Sequence, residues 1–139
     1  MELLGLSEFS WRVSPSAFGQ EMETPETYAF TANTAGSEES DDLLTVGVAE
    51  EFGPYFMIQR PLGKAAIDAS ELYVEYGDQS NGGYGAIELL SVDRNSLVAR
   101  LANGGRVEAV LQVADDAWGT LVADLKRCFA GLESLLNLK

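Results

Sequence analysis

The sequence predicts an α+β domain, in which a mainly antiparallel, meander-type β-sheet is packed by one long C-terminal α-helix. Three observations predict it. Short apolar or alternating runs of strand length recur between residues 27 and 113, separated by Gly, Pro, Asn and Asp. After residue 114 the hydrophobic period changes from two to that of a helix, about 3.6. A chain of 139 residues with 46% hydrophobic side chains suits a single domain, 1–139, with a core of its own.

Each element follows in order. "EFSWRV" (8–13) reads as a short first strand, and "SPSAFGQEMETPET" (14–27), with two prolines, as a loop. "TYAFTA" (27–32) is aromatic and Thr-rich, a strand. "NTAGSEESDD" (33–42) is polar and aperiodic, and is expected to be a flexible acidic loop. "LLTVGVA" (43–49) and "YFMIQR" (55–60) are strands, the second bracketed by Pro54 and Pro61, which cannot donate to a central ladder. "GKAAIDAS" (63–70) is a helical turn or a loop. "ELYVEYG" (71–77) alternates, with Leu72, Val74 and Tyr76 on one face and Glu71, Tyr73 and Glu75 on the other. "GAIELLSV" (85–92), "SLVARL" (96–101) and "RVEAVLQV" (106–113) form a three-strand meander, turned by Asp93-Arg94-Asn95 and Asn103-Gly104-Gly105. A helix over about 115–137 carries Trp118, Leu121, Val122, Leu125, Cys128, Phe129, Leu132, Leu135 and Leu136 on one stripe. Asp115 is its expected N-cap, and Asp116 suits the positive end of the helix dipole.

Charge is the strongest global signal. Nine Lys and Arg face 22 Asp and Glu, a net −13. Residues 1–51 hold eleven acids and one base, Arg12, a net −10; the other 88 residues carry only −3. Direct binding to nucleic acid or to an anionic membrane surface needs concentrated Lys and Arg, so neither is expected as a partner. The acidity serves solubility, or it matches a basic protein partner. The single cysteine, Cys128, excludes an internal disulfide. The opening "MELLGLSEFS" lacks a secretory pattern, and no run reaches the ~18 apolar residues of a membrane span. A cytoplasmic location is therefore expected.

Catalytic chemistry is sparse. The chain has no histidine, which removes Ser/His/Asp and Cys/His systems and every histidine metal site. Cys128 shares the helical stripe with Leu121, Leu125 and Leu132 and reads as a small core residue. Glu75 and Asp78 are imaginable as an acid and base pair, but they read first as solvated strand and turn carboxylates. Glu38, Glu39, Asp41 and Asp42 lack the alternation and closing Glu of a calcium loop. Gly77 to Gly82 has the outer spacing of a phosphate-binding loop, yet Gly83-Tyr84 follows where Lys and Ser/Thr are required. Gly77 to Gly85 is read instead as a strand-connecting turn. Neither a metal nor a cofactor is expected. Trp11 and Phe18 read as partner anchors or as side chains folded back on the core.

The run "PYFMIQR" (54–60) followed by "ELYVEYGDQSNGGYGAIELLSVDRNSLVARL" (71–101) resembles the immunity protein 10 family of bacterial polymorphic toxin systems. The residues that carry the resemblance are Gln59 and Arg60, Tyr73 and Glu75, Asp78 and Gln79, then Gly83, Tyr84, Gly85, Ile87 and Glu88, with Asp93 and Arg94 at the end. Ala86 stands where the family pattern has a second Gly, and Asn81-Gly82 where it has Ser-Gly. The resemblance implies a small cytoplasmic protein that binds and neutralises a cognate toxin domain and so protects the producing bacterium. It implies no enzymatic activity. The motif residues are expected to be mostly structural. A basic toxin, such as a nuclease, would suit the acidic segment, with Glu38, Glu39, Asp41, Asp42, Glu50 and Glu51 as the candidate contacts. Two other classes compete: a secretion adaptor or small-molecule sensor, and a hydrolase using carboxylates such as Glu75, Asp78 and Glu88.

Overall fold

Alternation and turn chemistry are strongest between residues 85 and 113, and there the chain folds as its pattern dictates. The structure, a computed structural model, describes residues 26–139. Its strands are β1 (Thr27–Ala32), β2 (Thr34–Ser40), β3 (Leu43–Ala49), β4 (Tyr55–Pro61), β5 (Tyr73–Tyr76), β6 (Asp78–Tyr84), β7 (Ile87–Asp93), β8 (Ser96–Leu101), β9 (Arg106–Leu111) and β10 (Leu136–Leu138). One α-helix, α1 (Asp115–Cys128), lies between β9 and β10.

The strands of the predicted meander, β7, β8 and β9, pair antiparallel. The Asp93 carboxylate accepts the N–H groups of Asn95 at 2.8 Å and Ser96 at 2.9 Å, which builds the first turn. Asn103 accepts the Gly105 N–H at 2.8 Å, and Gly104 takes the left-handed backbone of the second, at φ 92°. Val107, Ala109, Leu111 and Val113 are buried, as the period of two requires.

The expected single sheet is two. One has the order β1-β9-β8-β7-β10, the other β2-β3-β4-β5-β6. Both are mostly antiparallel, but β1 joins β9 and β10 joins β7 in parallel, which a simple meander does not contain. The sheets share one chain at an edge. Only Asn33 separates β1 from β2, and the strand direction carries on from one sheet into the other: the Gln112 N–H binds Ala32 O, and the Asn33 N–H binds Ala49 O. Leu44, Val46, Val48, Phe56, Ile58 and Val74 from one sheet meet Leu90, Val92, Leu97, Ala99 and Val107 from the other. Leu121, Leu125, Cys128 and Phe129 enter the same cluster, as the helical stripe predicts.

Four expectations need correction. The span 33–42 is not a flexible acidic loop. All seven residues of β2 pair with β3, and a ladder completed on one side outweighs a polar composition. The span 77–85 is not one long turn: the reversal is confined to Gly77, at φ 75°, and 78–84 form β6. The helix stops at Cys128 rather than near 137, since Gly131 takes φ 84° and the chain passes through a 3-10 turn at Glu133–Leu135 into β10. The N-cap is Ala114, with no side-chain cap. Asp115 instead accepts from Arg94 at 2.7 Å, while Asp116 does sit in the first turn. The strand expected at 8–13, Trp11 and Phe18 lie outside the described residues.

Candidate functional site

Alternate residues of β3, β4 and β5 point away from the main core, and several of these are buried too. Ala49, Tyr55 and Met57 form a second cluster, with Tyr73 packed against it. The register sets Glu75 opposite Met57 and Tyr73 opposite Gln59. Glu75, expected on a solvated face, is only 3% exposed. A buried carboxylate needs hydrogen-bond partners, and two tyrosines supply them. The Tyr55 hydroxyl donates to Oε2 at 2.5 Å, and the Tyr73 hydroxyl donates to Oε1 at 2.7 Å. Burial, then the bond to Glu75, pushes the Tyr73 hydroxyl up to about 12. The same causes raise Tyr55 further. With both oxygens engaged by neutral hydroxyls, Glu75 acts as a clamp between β4 and β5.

The glycines of β6 complete this arrangement. A Cβ at Gly82 would run into the Tyr73 hydroxyl, so that position must be bare for the ring to lie where it does. The Tyr73 and Tyr84 rings meet at 5.1 Å between centroids, tilted by 56°. Gly83 pairs with Val74. Gly85, at φ 66°, ends β6 and gives its N–H to Leu72 O at 2.9 Å. Asp78 turns its carboxylate back to the Ser80 N–H at 3.0 Å, as an Asx turn does. Gln79 stands exposed near the start of β6.

Other predicted site residues serve the frame elsewhere. Gln59 donates across strands to Thr45 at 3.0 Å. Arg60, 6% exposed, reaches the end of α1 and donates to the carbonyls of Arg127 (3.3 Å), Cys128 (3.0 Å) and Ala130 (2.7 Å). A guanidinium there satisfies orphan carbonyls at the negative end of the helix dipole. Glu88 stands on the other sheet, 3.8 Å from Arg100, away from Glu75. Arg94 ties the β7–β8 turn to the start of α1, donating to Val113 O at 2.9 Å, and its guanidinium lies over Trp118. Burial pushes the Cys128 thiol up to about 12, which leaves it protonated.

The six candidate partner-binding acids divide between the two ends of β3. Glu38, Glu39, Asp41 and Asp42 surround the β2–β3 turn, where Asp41 and Asp42 both take left-handed backbone, at φ 55° and 61°. Glu39 is bridged to Arg127 at 2.6 Å. Glu50 and Glu51 occupy the β3–β4 turn, a seven-residue strand away, roughly 20 Å. That second turn holds a residue the sequence reading passed over. Phe52 is 85% exposed and left-handed, at φ 62°. The signal was an aromatic inside "EEFGP", between two strands.

Among the described residues, no three Cys, Asp or Glu side chains gather as a metal site, and no helix is long and apolar enough to cross a membrane. Compared with protein-family models and with curated proteins, the chain matches none.

Proposed function

We propose that the chain is an immunity protein, which binds a cognate bacterial toxin domain in the cytoplasm and neutralises it. The observation that carries this reading is a charge block. Residues 13–59 contain nine acids and no Lys or Arg, and six of the nine lie at the two turns that flank β3. Hairpin turns are exposed and well positioned, so they suit contact with a basic surface. A nuclease domain, basic because it must hold phosphates, is the expected class of toxin.

The resemblance at 54–101 supports the same reading through residues that now have physical roles. Tyr73 and Glu75 belong to the clamp between β4 and β5, Gly83, Tyr84 and Gly85 shape the β6 strand beside it, and Arg60 holds the end of the helix. Because these residues serve the architecture, the contact surface is left to other positions.

Co-expression with the toxin gene encoded beside it tests the proposal. Growth should be restored, and the two chains should co-purify as a stable complex. Continued toxicity together with no complex would sink it.

A further inference from the structure

The turn between β3 and β4 is built against local preference. Gly53 N–H bonds Glu50 O at 3.0 Å, so Glu50 to Gly53 form a tight turn, and Glu50 N–H bonds Pro54 O at 2.9 Å. Only its third residue has positive φ, the pattern of a type II turn, and that position ordinarily takes Gly or Asn. Here it is Phe52, while the glycine comes one residue later. A bulky residue held left-handed is strained, and strain that persists is a pointer to function. Isolated exposed apolar side chains are common, but this one is also 85% exposed and held by a braced turn. The Asn33 side chain accepts the Glu51 N–H at 3.2 Å, and the buried Tyr55 follows Pro54.

Its surroundings are acidic. Glu50 and Glu51 are both exposed beside it. Gly77 N–H bonds Tyr55 O at 3.1 Å, which brings the next residue, Asp78, to the end of β4 that adjoins this turn. Arg106, which enters β9 beside Glu26, is bridged to Glu108 at 2.7 Å.

We infer that this turn is the principal toxin contact, with Phe52 inserted in an apolar pocket that Lys or Arg side chains of the toxin domain surround. The inference rests on the immunity reading and narrows it to one end of β3. An aromatic on a rigid tip loses little conformational freedom on binding, and the exposed Glu50 and Glu51 guide the encounter.

The test uses the full chain and the toxin domain encoded beside it, the latter carrying an inactivating substitution. Phe52→Gly relieves the backbone and deletes the anchor. Its thermal midpoint should rise, while Kd rises at least about 30-fold, mainly through faster dissociation. Glu50→Lys with Glu51→Lys should slow association at least about tenfold at low salt, and more than Glu38→Lys with Asp42→Lys does at the other end of β3. A wild-type complex that Phe52→Gly leaves equally tight overturns this inference alone. The absence of any wild-type complex overturns the immunity reading and this inference with it.

Discussion

Replacing Arg60 by Met keeps most of the stem's volume and removes the guanidinium. One nitrogen of that group, Nη1, faces three carbonyls at the end of α1, at 3.3, 3.0 and 2.7 Å. It has two hydrogens, so the two shorter bonds carry most of the interaction. Hydrogen bonds from a charged donor contribute about 1.5–3 kcal/mol each. Ala130 and Arg127 are exposed enough for water to replace part of the loss, but Cys128 is fully buried. The net cost is about 3 kcal/mol, a large share of the roughly 5–15 kcal/mol that holds an ordinary domain. In urea unfolding followed by circular dichroism, the midpoint should fall with the slope unchanged, and the thermal midpoint should drop by roughly 10 °C. Arg60→Lys, which restores one charged nitrogen, should recover part of this. A loss below about 1 kcal/mol for Arg60→Met would show that the helix end does not depend on its cap.

The Tyr73–Glu75 bond and the bare Gly82 form one unit. Tyr73→Phe should cost about 1.5 kcal/mol, and Gly82→Ala at least as much, because the new methyl displaces the same hydroxyl. The double variant should cost about 1 kcal/mol less than the sum of the two; strict additivity in urea titrations refutes the coupling. Stability should also fall in alkali. Burial holds Tyr28 and Tyr73 up to about 12, and Tyr55 is raised as well, whereas the unfolded chain releases these protons near the ordinary value of 10.0. The folded state therefore keeps its full stability below about pH 10 and loses it as pH rises through about 12. A urea midpoint constant from about pH 9 to about pH 11.5 contradicts this. Cys128 should resist thiol reagents in the native protein at neutral pH and react on unfolding; fast native labelling would contradict its burial.

Local chemistry was legible in the sequence wherever neighbouring residues settle the structure. Ser96–Leu101 has the predicted bounds because Asp93 and Asn103 fix the turns on either side. The start of α1 was legible from the change of period. Its end was not, because Leu132, Leu135 and Leu136 continue to face the core after the helix has stopped, and a stripe read from spacing does not register the change of backbone. β2 looked like a loop because Thr34–Ser40 carries no strand pattern of its own and gains its form from pairing with β3. Among the site residues, the alternation placed Tyr73 and Glu75 on one face, but nothing local showed that the face is buried or that Tyr55 would reach Glu75. The role of Arg60 depends on carbonyls nearly seventy positions away, and no single-chain spacing encodes it.

The shared strand at Asn33 has a consequence for the order of folding. β3 to β6 close by contacts between near neighbours in sequence, and β7 to β9 do the same. β1 must find β9, pairing Thr27 with Arg106, a long-range closure that is slow to form. Asn33, at the junction, also braces the turn that presents Phe52. The hairpin can thus form early, while its final shape waits for the two sheets to be stitched together. Recovery of the toxin binding proposed for this turn should, during refolding, lag behind recovery of strand signal.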